Sequence, residues 1–122
     1  MTTWNVLLID DEEDFVTTLA ERLLFRGIAA KTATDGKIGL NLVKSESFDV
    51  VILDVLMPEI GGLEVLQQIK AFNPRIPVIL LTGHGDTLED SRWMQLGAFD
   101  YLMKPLDIDE LIKKIEAAAH SQ

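Results

Sequence analysis

The chain has 122 residues, 48% of them hydrophobic, with twenty acidic against eleven basic side chains and a net charge of −9. That length holds one domain around a single core, so residues 1–122 are expected to form one unit. The acidic balance argues against direct binding to nucleic acid or an anionic membrane surface, and the cysteine count of zero excludes disulfides, thiolate nucleophiles and cysteine-based zinc sites.

Short runs of Val, Ile and Leu recur about every 20 to 28 residues, each followed by a helical pattern, the signature of a parallel α/β fold. The first strand is predicted over about Trp4 to Ile9, and it ends in five acids, Asp10 to Asp14. A helix starting near Glu12 accounts for Glu12, Glu13 and Asp14, because acids in a first turn oppose the dipole and cap free N–H groups. It does not account for Asp10 and Asp11 at the strand end, where adjoining carboxylates are costly unless they share a cation. Phe15, Leu19 and Leu23 mark the helix face, with Val16, Ala20 and Leu24 alongside.

The second strand, about Ile28 to Ala33, carries Lys31 and Thr32, which suits a sheet edge. Asp35-Gly36 reads as a turn before a helix with Ile38, Leu42 and Val43. The third strand, DVVILD, is apolar throughout from Val50 to Leu53, which predicts burial on both faces and a central position. In VLMPEIGG, Pro58 stops the strand and Gly61-Gly62 frees the backbone before a helix with Leu63, Leu66 and Ile69. PVILLT, the fourth strand, closes in Thr82, and a helix from about Thr87 to Leu96 is expected to stop at Gly97. FDYLM, the fifth strand, precedes Lys104-Pro105, and a last helix presents Ile108, Leu111, Ile112 and Ile115 before fraying at AAAHSQ.

The polar residues closing these strands are Asp10 and Asp11, Asp54, Thr82 and Lys104. Carboxyl ends of parallel strands share one edge of an open sheet, where a crevice forms at the reversal of strand order. With the order 2-1-3-4-5, strands one and three are neighbours and three carboxylates converge. One lysine and one divalent cation would neutralise them. Mg²⁺ is the natural candidate, since it takes a few carboxylate oxygens and readily adds phosphate oxygen. Beside such an ion, Asp54 could act as a carboxylate nucleophile toward phosphorus, with Lys104 neutralising charge and Thr82 donating its hydroxyl to the arriving group.

Four motifs carry a family resemblance: IDDEE with Asp10-Asp11, VILDVLMP with Asp54 and Pro58, LLTG with Thr82-Gly83, and GAFDYLMKP with Tyr101 and Lys104-Pro105. Together and in order, they make the chain resemble a response regulator receiver domain over essentially its whole length. The resemblance implies a five-stranded flavodoxin-like sheet with helices on both faces. It implies Asp54 as phosphoacceptor, and Mg²⁺ on Asp11, Asp54 and the Leu56 carbonyl with Asp10 helping through water. It implies Lys104 on the phosphoryl group and a cis Lys104-Pro105 bond. Thr82 and Tyr101 would switch the surface of the fourth helix, fifth strand and fifth helix. The implied donor is a phosphohistidine on a sensor histidine kinase or phosphotransfer protein. Such a domain is a phosphoacceptor that assists its own phosphorylation and dephosphorylation, not a turnover enzyme. An output domain, a downstream protein and a homodimer through the switching face are compatible partners.

No apolar run reaches the ~20 residues of a membrane span, and MTTWNVLLIDD lacks a signal peptide's basic start and cleavage site. A cytoplasmic location is therefore expected. His84 and His120 make no zinc pair at helical or hairpin spacing.

Some positions are distinctive. In similar proteins the residues two past the acceptor and two past the switch threonine, here Leu56 and His84, tune phosphate lifetime. An apolar Leu56 would shield an acyl phosphate from water, so Leu56→Asn is expected to change the decay rate of the adduct; an unchanged rate counts against this role. Gly61 stands where relatives often carry Asp, and Trp93 is either a core plug or a partner-facing anchor. Two other classes remain open. An aspartyl-nucleophile phosphohydrolase resembling the haloacid dehalogenase family would carry DxD on its first strand, and Asp54-Val55-Leu56 lacks the second acid. A nucleotide-binding fold has only Gly83-His84-Gly85 in its favour. A receiver-like interaction module that had lost phosphorylation would be expected to lack some of the five polar residues, and none is absent.

Overall fold

The computed structural model describes residues 4–55, 61–83 and 92–121. The strands are β1 (Asn5–Ile9), β2 (Ala29–Ala33), β3 (Val50–Asp54), β4 (Val78–Thr82) and β5 (Asp100–Met103). They alternate with helices α1 (Glu13–Phe25), α2 (Gly36–Ser45), α3 (Gly62–Phe72), α4 (Arg92–Gln95) and α5 (Ile108–His120). All neighbouring strands pair in parallel, as the alternation predicts, and their order is β2-β1-β3-β4-β5, the one in which strands one and three are neighbours. The expected start of the fourth helix near Thr87 lies outside the described residues.

Every residue of β3 and β4 is buried, because helices cover both faces of the sheet. Alternation then divides the core. Leu7, Ile9, Val51, Leu53, Val78 and Leu80 point toward α2 and α3. Val6, Leu8, Val50, Ile52, Ile79 and Leu81 point toward α1 and α5. A period-two strand between two helical layers gives this arrangement directly. β2 lies at one edge, where Lys31 is exposed and pairs with Glu46 at 2.6 Å.

Local chemistry sets the helix ends. Asp35 is the N-cap of α2 and accepts from the Ile38 N–H at 2.7 Å, with Gly36 already helical; the pair expected as a free turn is the helix start itself. Asp107 does the same for α5, accepting from the N–H groups of Asp109 and Glu110. Gly97 closes α4 at φ +100°, the left-handed ending expected there.

Two helical expectations need correction. Leu24 is 66% exposed, because the α1 stripe narrows to Val16, Leu19 and Leu23. The last helix does not fray at its alanines. It continues to His120 with Ala118 and Ala119 buried on the line set by Leu111 and Ile115, and the His120 ring meets Trp4 edge-on at 5.1 Å. Small side chains let the helix approach the sheet closely, a role that composition alone reads as weak patterning.

Gly62 holds the β3–α3 connection tight. Its N–H lies 3.3 Å from the Val55 carbonyl, and a Cβ there would stand 2.5 Å from the Val55 Cα. Backbone cannot retreat as a side-chain tip can. Gly62→Ala is therefore expected to cost about 2 kcal/mol, the scale of an overpacked core position, and to displace Val55 beside Asp54. Urea unfolding checks this, and a loss under ~0.5 kcal/mol would mean the loop yields freely.

Candidate functional site

Among the described residues, the buried polar or charged side chains are Asp10, Asp54 and Thr82. All three close strands on the same rim of the sheet. Asp10 extends β1 by one hydrogen bond, its N–H donating to the Ala33 carbonyl at 3.0 Å. Asp54 ends β3 opposite Leu81, and Thr82 ends β4 opposite Met103. The Lys104 N–H donates to the Thr82 carbonyl at 2.8 Å, which fixes the lysine's backbone at the same rim, and the Lys104-Pro105 peptide is cis.

The ammonium of Lys104 reaches back across the rim. Its Nζ lies 2.8 Å from Asp10 Oδ2, 2.7 Å from Glu12 Oε1 and 3.6 Å from Asp54 Oδ2, and 4.4 Å from the centre of the Phe15 ring. Burial alone would lower the lysine's pKa. The close contacts with Asp10 and Glu12, and the charges of Asp10 and Asp54, outweigh burial and hold it above its ordinary value. Lys104 is thus a fixed cation at any physiological pH.

Three carboxylates face this one ammonium. Ligand atoms of Asp10, Glu12 and Asp54 lie within 4.8 Å of one another, close enough to share an ion. Asp10 Oδ1 accepts from the Glu12 N–H at 2.9 Å, and its buried Oδ2 pairs with Lys104 Nζ at 2.8 Å. An excess of two negative charges and an all-oxygen donor set fit a hard divalent cation.

Of the residues expected at the site, Asp10, Asp54 and Lys104 come together, and Thr82 is buried on the adjoining strand end. Asp11 is exposed and stands outside the group of clustered oxygens. Tyr101 lies on the edge strand β5 and is 40% exposed, so it is not a core tyrosine here. Leu56 and His84 lie outside the described residues. Trp93 packs, partly buried, against the core between the sheet and α2 and α3, and its indole Nε1 is buried without a hydrogen-bond partner among the described residues.

Glu12 is the residue that sequence reasoning missed. It was accounted for as a helix-capping acid, yet as N-cap of α1 it makes no side-chain capping bond, because its carboxylate goes to Lys104. The available signal was its place beside an acidic pair that faces a lysine-bearing strand end.

Beside this cluster opens a cleft of about 720 Å³ lined by Glu12, Phe15, Lys104, Pro105, Leu106 and Arg22, among others. It gives an incoming molecule access to the rim from the α1 side. No helix among the described residues is long and apolar enough to cross a membrane.

Comparison with known proteins adds a family. Residues 6–116 match the model of the response regulator receiver domain. The chain is 37% identical over 119 residues to the transcriptional regulatory protein ZraR of Klebsiella oxytoca, covering 97% of this chain and 27% of that protein. It is 33% identical over 118 residues to the response regulator ArlR of Staphylococcus epidermidis, covering 97% of this chain and 53% of that protein. The chain therefore spans about half or less of the length of these relatives. Among solved structures, a receiver domain protein from Clostridium thermocellum superposes with a TM-score of 0.90 at 36% identity, covering 96% of this chain and 94% of that one. The receiver domain of Francisella response regulator 1452 superposes with a TM-score of 0.88 at 31% identity, covering 96% and 97%.

Proposed function

This chain belongs to the response regulator receiver domain family, and from that premise we propose that it takes a phosphoryl group from a phosphohistidine onto Asp54. Members of the family are phosphoacceptors rather than turnover enzymes. The supporting observation is that buried Asp10, Asp54 and Thr82 all end at one rim beside a permanently charged lysine.

In the proposed transfer a carboxylate oxygen of Asp54 attacks phosphorus. The bond from phosphorus to the donor nitrogen breaks, and the nitrogen keeps the electron pair. Asp10, Asp11, Asp54 and the Leu56 carbonyl are the residues proposed to hold Mg²⁺, whose contribution when bound is to neutralise charge on the transferring group. The Lys104 ammonium moves its contact from the carboxylates to the phosphoryl oxygens. The Thr82 hydroxyl donates to the same oxygens.

With phosphate seated, Tyr101 would leave its exposed position and turn inward, changing the face formed by α4, β5 and α5. The proposed partners are a sensor histidine kinase or histidine phosphotransfer protein upstream, and an output domain, downstream protein or second copy at the switching face. We place this exchange in the cytoplasm and read residues 1–122 as one receiver unit.

Acetyl phosphate with Mg²⁺ tests the reading. Intact-mass measurement should show a gain of one phosphoryl group, retained long enough to detect. Sustained hydrolysis of many phosphomonoesters with no lasting adduct would support an aspartyl phosphohydrolase instead. Neither adduct nor hydrolysis would leave an interaction module without phosphorylation.

A further inference from the structure

Two of the groups around Lys104 have no part in the proposed transfer: Glu12 and Phe15. Lys104 Nζ sits at hydrogen-bond distance from Glu12, 2.7 Å, and beyond it from Asp54, 3.6 Å. The Phe15 ring lies 4.4 Å away, where its quadrupole attracts an ammonium. Asp10 also holds the lysine, and its oxygens cluster with those of Glu12 and Asp54, but it is buried. Glu12 differs in that its side chain is 62% exposed and stands on the wall of the cleft leading to the rim.

We propose that Glu12, together with the Phe15 ring, is a positioning residue that holds the Lys104 ammonium back from Asp54 and so sets how readily an anionic phosphoryl donor engages the site. The inference rests on the phosphoacceptor reading above. A lysine's flexible stem lets the ammonium shift between nearby anions, so a donor's oxygens must draw it away from Glu12. The Glu12 carboxylate also repels the donor's charge within the cleft. Both effects act as the donor binds. They therefore fall on the half-saturating donor concentration and leave the maximal rate nearly alone.

The test measures initial rates of adduct formation over a range of acetyl phosphate concentrations with Mg²⁺, for the parent, Glu12→Gln, Glu12→Asp and Phe15→Leu. Glu12→Gln is expected to lower the half-saturating concentration about two- to fivefold, the scale of a partly exposed ion pair. Phe15→Leu should shift it in the same direction by less. Glu12→Asp keeps the charge, and so the repulsion, but falls one methylene short of Lys104, so it should lower the half-saturating concentration by less than Glu12→Gln; parent-like behaviour would overturn the positioning role. An independent readout needs neither metal nor donor. The Lys104 side-chain ammonium signal in ¹H–¹⁵N spectra should exchange with water faster in Glu12→Gln than in the parent. A parent that forms the adduct, with half-saturation and ammonium exchange unchanged in Glu12→Gln, overturns this inference alone. A parent that forms no adduct defeats the phosphoacceptor reading, and the donor effect proposed for Glu12 falls with it.

Discussion

Asp54→Asn is expected to abolish the phosphoryl adduct, by at least about 100-fold in yield, because an amide oxygen is a far weaker nucleophile than a carboxylate. The same change should leave the fold intact and slightly more stable. Asp10, Glu12 and Asp54 crowd around a single ammonium, and like charges at such separations oppose one another. Removing one of them relieves that repulsion, while Asn fills nearly the same space at the buried end of β3. A gain of roughly 1 kcal/mol in urea unfolding without Mg²⁺ is the expected size, the usual trade between a functional site and stability. Intact-mass measurement and unfolding of the one variant therefore separate chemistry from folding. An adduct persisting in Asp54→Asn would move the acceptor to another residue, and a large loss of stability would mean that the Asp54 carboxylate supports the fold.

Lys104→Met should have the opposite balance. Met keeps an unbranched apolar stem beside Phe15 but leaves the buried carboxylates of Asp10 and Asp54 without the Lys104 cation. Stripping one partner from a buried ion pair costs about 3 kcal/mol, and the more exposed Glu12 contact adds little. Excess Mg²⁺ should return part of this loss, since a ligand that binds only the folded state stabilises it by mass action. The pH dependence follows from the direction of the shift. The folded lysine's pKa lies above the ordinary value of 10.5, so its contribution is complete below that pH and declines as pH climbs through the higher folded value. The parent should lose stability between about pH 10 and about pH 12 more steeply than Lys104→Met. Chemical unfolding across that range checks it, and parallel curves would show that the Asp10 and Glu12 contacts contribute no linkage.

Much of this architecture was legible in the chain alone. Apolar runs such as DVVILD announce a doubly covered strand, and β3 is central and fully buried. The residues that close those runs lie at strand ends, so parallel pairing brings Asp10, Asp54 and Lys104 together once the order is right. Periodicity served less well wherever the stripe was made of small residues or narrowed, as at Ala118, Ala119 and Leu24.

What the tertiary structure alone decided lies at a finer scale. Pairing of Glu12 with Lys104, 92 residues apart, depends on which rotamers place two long side chains within 2.7 Å. The close approach of Gly62 to Val55 depends on how a helix start folds back on a strand end. Hydrophobic pattern records which face of an element is buried, and so it carries the layers, the central place of β3 and, once the strand order is given, the rim. Which of several nearby acids a lysine grips is settled by fractions of an ångström between side chains, and no linear pattern encodes those.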